Sequence, residues 1–175
     1  MSTDTPSPGD AAFRLRLPGR PDGPAMHQLV AQCPPLDLNS VYLYLLLAEH
    51  FSHTCIVAQD ELGLLGMVSG YIPPERSDVL FVWQVAVHPR ARGQGLGSKM
   101  LLGLLGRPGL GTVRWMETTV SPGNRASRRL FSRLASQLQA PITEHELFGV
   151  DLFGADAHEA EPLLRIGPFS LSAVR

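Results

Sequence analysis

Arg92-Gly93-Gln94-Gly95-Leu96-Gly97 has the residue types and the neighbours of an anion cradle. Before it runs an apolar, β-rich segment, Val79 to Val87, which reads as a strand buried on both faces. After it comes Leu96 to Leu105, with Met100 and Leu104 at helical spacing and Pro108 just beyond the end. In a strand, turn and helix of this kind, glycines let backbone N–H groups close on phosphate oxygens, and the helix dipole adds partial positive charge. The spacing is neither the dinucleotide fingerprint G-x-G-x-x-G nor a P-loop, since no Lys-Ser/Thr pair follows. A three-glycine turn alone is more often just a turn; the flanking strand and helix tip the balance toward phosphate.

Two acids stand out as groups that could handle an amine. Glu117 shares the face of an apolar strand with Val113, Trp115 and Thr119, and acids are rarely buried unpaired. Either it is paired with an arginine near a strand end, or it holds an ammonium group or takes its proton, directly or through water. A free alkyl amine has a pKa near about 10, so some group must accept its proton before it can attack. Asp37 lies in a Pro- and Leu-rich loop just ahead of a helix, where a cap or turn role is equally open. Trp83 shares a strand face with Phe81, Val85 and Val87, for which core packing is the plain account. Tyr42 is either core or a phenol able to give up a proton. His158 and Glu161, three apart in an acidic segment, have the spacing of a surface helix pair.

The elements that must position these groups follow from periodicity. Met1 to Ala12 is polar and Pro/Gly/Ser-rich, a disordered leader without the pattern of a signal peptide. Phe13 to Leu17 alternates as a half-exposed strand, and Asp22 is placed to cap a short helix that Cys33-Pro34-Pro35 must end. Ser40 is placed to cap the next helix, Val41 to Phe51, which is apolar on nearly every side and so either deeply buried or shared with a partner chain or ligand. Thr54 to Gln59 and Leu64 to Ile72 form a hairpin across Asp60-Glu61-Leu62-Gly63. Thr112 to Val120 is a further strand, and Pro122 opens a helix carrying Ala126, Leu130, Phe131, Leu134 and Leu138 on one face. Glu144 to Ile166 mixes short β-like runs with an acidic loop, Asp151 to Glu161. The expectation is one α/β domain over residues 13–170, with a mixed, largely antiparallel sheet flanked by helices and a short tail at 171–175.

Composition narrows the partners. At 175 residues and 44% hydrophobic, the chain is a globular domain long enough for a sizeable core. A net charge of −1 gives no electrostatic case for nucleic acid or an anionic membrane surface. The arginines at 125, 128, 129 and 133 fall on one helix, and read as a solvated face near a phosphate-bearing ligand. Only two cysteines occur, Cys33 and Cys55, with no C-x-x-C spacing, so a cytoplasmic setting with reduced thiols is expected. Neither lies beside an evident activating base, and no third ligand accompanies His158 and Glu161 to make a metal site.

Arg-x-x-Gly-x-Gly after the fourth strand resembles the acyl-CoA pyrophosphate loop of the GNAT acetyltransferases, and the order of elements beyond residue 12 is similar to the GNAT fold. Pro35-Leu36-Asp37-Leu38-Asn39-Ser40 with Tyr42 resembles one subfamily, the diaminobutyrate acetyltransferases of ectoine synthesis. So do Leu80 to Val87, Glu117-Thr118-Thr119-Val120 followed by Asn124, and His158-Glu159-Ala160-Glu161 with Leu164 to Gly167. The resemblance implies acetyl transfer from acetyl-CoA to the γ-amine of L-2,4-diaminobutyrate, in the service of osmoprotection; the apolar helix Val41 to Phe51 hints at a homodimer, and no metal is expected. It implies cofactor contacts from Val85, Ala86 and Val87, from Arg92, Gly93, Gln94, Gly95, Leu96 and Gly97, and from Asn124, for which a helix cap competes. It also implies that Asp37, Trp83, Glu117 and His158 meet the substrate, with Glu117 and Tyr42 handling protons. Many GNAT enzymes carry a tyrosine seven residues after this asparagine, where this chain has Phe131, so Tyr42 or solvent must protonate the thiolate. Two other readings are another small-amine N-acetyltransferase and a non-catalytic acetyl-CoA sensor.

Overall fold

The structure, a computed structural model, describes residues 13–154 and 158–170; the leader, the tail and part of the acidic loop lie outside the described residues. Seven strands form one sheet: β1 (Arg14–Arg16), β2 (Ile56–Asp60), β3 (Gly63–Tyr71), β4 (Val79–Val87), β5 (Trp115–Thr119), β6 (Ile142–Phe148) and β7 (Glu161–Ile166), in the order β1-β2-β3-β4-β5-β7-β6. Every neighbouring pair is antiparallel except β4 and β5. The parallel pair needs a long crossover, and the glycine loop with its helix supplies it.

Helices cover both faces. α1 (Gly23–Ala31) and α2 (Val41–His50) place Met26, Leu29, Tyr44 and Leu47 against Val57, Met67 and Ala86. α3 (Leu96–Leu105) and α4 (Arg125–Gln137) place Met100, Leu104, Phe131 and Leu134 against Val68, Leu80, Val82 and Met116. Ser40 caps α2 by accepting from the Leu43 N–H. Asp22 does not cap α1. Its carboxylate is taken by Arg16 and by the Gly19 N–H, so that it ties β1 to the turn before the helix. α4 begins at Arg125 rather than at Pro122, because Asn124 holds the cap and accepts from the Ser127 N–H. His158 and Glu161 are not on a helix; the second opens β7.

One irregularity decides where the site lies. The β3–β4 register steps from Ser69 opposite Gln84 to Gly70 opposite Val82, so Trp83 is an extra residue with no partner on β3. The bulge resets the alternation of faces. Val82 and Val85 both pack toward α3 and α4, while Ala86 packs toward α1 and α2, so Phe81 and Val85 do not share a face as strict alternation would require. The bulge also ends a pairing. The β4–β5 ladder stops at Phe81 opposite Glu117, although β4 continues to Val87 and β5 to Thr119. Beyond that point the two strands part and β4 keeps an unpaired edge. The run Val79 to Val87 is therefore not buried on both faces; Trp83 is 43% exposed, and Phe81, Val85 and Val87 are half-buried.

Candidate active site

Two adjoining cavities fill the wedge between β4 and β5. One, of about 420 Å³, lies between the Pro35 to Asp37 loop, the Trp83 to Val85 stretch of β4 and the Thr118 to Ser121 end of β5. The other, of about 510 Å³, runs from Cys33 past Val85 and Val87 to the glycine loop and α4. Pro35, Leu36, Val85, Asn124 and Ser127 line both, so the two are continuous. The cleft has opposite ends. One is built from glycines and arginines, the other from Asp37, His158, Glu159 and Glu161.

The glycine end fits a diphosphate. Gly93 and Gly95 have φ of 76° and 74°, a left-handed backbone that side chains resist, and both line the cavity ahead of α3. Gly97 is there for a different reason: a Cβ would stand 3.1 Å from Leu130, so its absence lets α4 close on the loop. Ser98, in the first turn of α3, lines the cavity with a buried hydroxyl that has no hydrogen-bond partner among the described residues, an arrangement that a phosphate oxygen would satisfy. Arg90 pins the start of the loop to Asp60 on the β2–β3 hairpin and holds that carboxyl down to about 2, so the pin persists throughout the neutral range. Arg92 lines the cavity while bracing its wall, donating to the Val87 and Gln32 carbonyls at 3.1 and 3.2 Å. Gln94 and the Ala86 side chain do not line it. The first turns its amide to the Arg90 carbonyl and the second is buried in the α1–α2 core.

At the acidic end, Trp83 projects from the bulge beside Asp37, whose carboxylate lies 3.7 Å from His158 Nε2. His158 donates from Nδ1 to the Glu159 carbonyl at 2.6 Å and stacks on Phe153 at 4.0 Å between ring centres. That hydrogen bond first, and the Asp37 and Glu161 carboxylates next, raise the imidazole pKa above its ordinary value. Gln84 fixes the Asp37 loop: buried, it donates from Nε2 to the Asp37 carbonyl at 2.7 Å and accepts from the Tyr44 hydroxyl at 3.2 Å. Sequence reasoning gave no role to Gln84, Glu159, Phe148 or Phe153. Gln84 and Glu159 both sat in segments it had singled out; for Gln84, a polar amide between bulky apolar residues of a strand was the available signal.

Glu117 lies at the apex of the wedge, where the β4–β5 ladder ends, and lines neither cavity. It is 1% exposed. Arg76 donates to both its oxygens, at 2.7 and 2.8 Å, and Arg165 Nε, from the opposite position on β7, stands 3.6 Å away. The pairing with arginine that the sequence left open is thus present, and the structure does not bring Glu117 and Asp37 into one lining. Tyr42 is also apart. It is 68% exposed on the outer side of α2, roughly 200° round the axis from buried Tyr44, and lines neither cavity. Phe131 does line the first cavity and offers no proton. Asn124 lines both cavities as well as capping α4. Burial pushes the Cys55 thiol up to about 11, so it is no thiolate at neutral pH. Among the described residues, no three His, Cys, Asp or Glu side chains are grouped to hold a metal ion, and no helix is long and apolar enough to cross a membrane.

A sheet splayed at a bulged fourth strand, with a glycine loop leading into a helix at the mouth, defines an acyl-CoA-dependent N-acyltransferase fold. The acetyltransferase (GNAT) family profile matches residues 23–135, and the chain belongs to that family. It is 55% identical to the L-2,4-diaminobutyric acid acetyltransferase of Bordetella parapertussis, over 90% of this chain and 86% of that one. With the enzyme of the same name from Chromohalobacter salexigens the identity is 49%, over 89% and 81%. Among solved structures, diaminobutyrate acetyltransferase from Paenibacillus lautus, in complex with L-2,4-diaminobutyric acid and coenzyme A, superposes with a TM-score of 0.88 at 41% identity, covering 91% of this chain and 97% of that one. Ard1 from Thermoplasma volcanium, at 19% identity and a TM-score of 0.69, shares the fold.

Proposed function

We propose that this chain transfers the acetyl group of acetyl-CoA to the γ-amine of L-2,4-diaminobutyrate, giving N4-acetyl-L-2,4-diaminobutyrate. The observation that carries the reading is the continuous cleft with a diphosphate cradle at one end and a cluster of carboxylates at the other. Kinship supports the same substrate, since the relatives above are diaminobutyrate acetyltransferases.

The chemistry is a single displacement. The pantetheine arm lies along the unpaired edge of β4 beyond Phe81 as an added strand, and the amides of the glycine loop hold the diphosphate. The thioester then sits near Val85, at the junction of the cavities, where a backbone N–H stabilises the tetrahedral oxyanion. Asp37, with His158 and Glu161 beside it, holds the α-ammonium, and Trp83 covers the short aliphatic chain. Glu117 draws the proton from the γ-amine through water once Arg76, whose side chain is 45% exposed, has let go of it. The neutral amine attacks the carbonyl carbon, the C–S bond breaks, the nitrogen sheds its second proton to solvent to leave a neutral amide, and the thiolate takes its proton from solvent, because neither Phe131 nor Tyr42 can give one there. Holding amine and thioester together supplies much of the remaining acceleration.

An amine panel with mass spectrometry of the products tests the substrate. Diaminobutyrate is expected to be acetylated at the γ-nitrogen, and lysine, two methylenes longer, to react roughly a hundredfold less well because its nucleophile is misplaced. A better reaction with lysine would overturn the assignment, and an absence of thiol release with every amine would favour a sensor. A Cys33→Ala, Cys55→Ala double variant is expected to keep most of its activity. An acetylated protein residue turning over at the catalytic rate would contradict direct transfer. In the cell the same reading gives a cytoplasmic enzyme of ectoine synthesis and osmoprotection. It further gives a homodimer, whose contact includes the exposed side of α2 with Val41 and Tyr42.

A further inference from the structure

Four arginines stand on α4, and two of them lie outside the second cavity. Arg128 is paired with Glu144 and donates to the carbonyls of Val120 and Ser121. Arg125 is exposed and lines neither cavity. Arg129 and Arg133 are different. Both are exposed, both line the second cavity, and among the described residues neither guanidinium has an ion-pair or hydrogen-bond partner. Like charges one helical turn apart weaken a helix, so nothing within the described residues offsets the cost of this pair.

Their position relative to the glycine loop is fixed by Leu130. That residue, between the two arginines, lies 3.1 Å from where a Gly97 Cβ would stand, so α4 crosses the loop there. Asn124 and Ser127, nearer the start of α4, line the junction where the thioester belongs. At 1.5 Å per residue, Arg133 lies roughly 13 Å further along the axis than Asn124. The order along the cleft is therefore junction, glycine loop, paired arginines. In acetyl-CoA the order is thioester, diphosphate, then a ribose bearing a 3′-phosphomonoester. With the diphosphate on the loop, the phosphomonoester falls beyond it, at the mouth of the cavity.

We propose that Arg129 and Arg133 bind the ribose 3′-phosphate of acetyl-CoA, forming a second anion subsite that makes the enzyme selective for CoA over its 3′-dephospho form. The inference rests on the acetyl-CoA reading of the cleft. Two planar guanidiniums suit a phosphate dianion because each can offer parallel N–H donors. The contact is remote from the reacting carbon and equal in ground and transition states, so its loss appears in KM for acetyl-CoA rather than in kcat.

The test is calorimetry with acetyl-CoA and 3′-dephospho-acetyl-CoA on the full chain, on an Arg129→Gln, Arg133→Gln variant and on Arg125→Gln. Glutamine keeps helix propensity, and circular dichroism checks the fold. The unaltered chain is expected to bind acetyl-CoA about tenfold or more tightly than the dephospho form. The double variant should bind both equally, near the affinity of the unaltered chain for the dephospho form, while Arg125→Gln keeps the full discrimination. Equal binding of the two ligands by the unaltered chain would overturn the proposal, as would discrimination that survives in the double variant or is lost in Arg125→Gln. Binding of the dephospho form with retained turnover, but no discrimination, would sink the subsite and leave the cleft assignment standing. Binding of neither ligand would remove both.

Discussion

Glu117→Gln is expected to lower kcat/KM for diaminobutyrate by about a hundredfold or more, while acetyl-CoA affinity changes less than about twofold. The change keeps the shape of the side chain and one acceptor for Arg76 but removes the charge at the apex of the wedge. Some loss of stability must accompany it, because Glu117 is 1% exposed and its two arginine neighbours lose their counter-charge. Arg76 is 45% exposed, so that loss should fall well below the about 3–5 kcal/mol typical when a fully buried pair is broken. Arg76→Gln separates chemistry from architecture. If the carboxylate acts on the amine, freeing it from Arg76 leaves most activity in place even as the melting temperature drops. If Glu117 serves only to anchor the 73–78 loop, Arg76→Gln reproduces the whole defect. Full activity in Glu117→Gln would remove this residue from the mechanism.

What the sequence made legible was local. The glycine loop is contiguous, and its meaning depends on a strand before it and a helix after it, both of which periodicity reveals; α3 spans Leu96–Leu105 as expected. The Ser40 cap and the hairpin from β2 to β3 are local in the same sense. The bulge at Trp83 is not. It is a relation of register between β3 and β4, invisible along β4 alone, and it invalidated both the face assigned to Trp83 and the expectation of two buried faces. Tyr42 shows a second limit. With α2 apolar all round, no stripe marked the inward side, and only tertiary packing chose Tyr44 for the core and left Tyr42 outside. Arg76 lies 41 residues from Glu117, so a pairing with arginine was open in principle but its partner was unreadable. The acidic end of the cleft gathers Asp37 from the first third of the chain and Glu159 and Glu161 from the last, a convergence created by the exchanged order of β7 and β6 at the sheet edge.

Gly95→Val is expected to weaken acetyl-CoA binding more than tenfold, about 1.4 kcal/mol, in a protein that still folds. Two effects add, and both begin with the backbone. At φ 74° Gly95 occupies a left-handed conformation that a β-branched residue resists, so valine either strains the turn or moves φ and rotates the next amides away from the diphosphate. A Cβ at Gly95 meets nothing within 4 Å in the free chain, so the substitution causes no collision in the core. The space it would occupy is the space an approaching phosphate needs. Strain of about 1–3 kcal/mol implies a fall in melting temperature of about 2–12 °C for a chain of this size, small enough to leave a folded enzyme for titration. Gly97→Val is the contrasting probe. There the added side chain runs into Leu130, so packing of α3 against α4 suffers before any ligand arrives. Calorimetry on the two variants, with circular dichroism alongside, distinguishes them: Gly95→Val should lose affinity out of proportion to stability, and Gly97→Val should lose both together. A folded Gly95→Val variant with unaltered acetyl-CoA affinity would show that the loop does not cradle the diphosphate, and the orientation of the cofactor along the whole cleft would have to be reassigned.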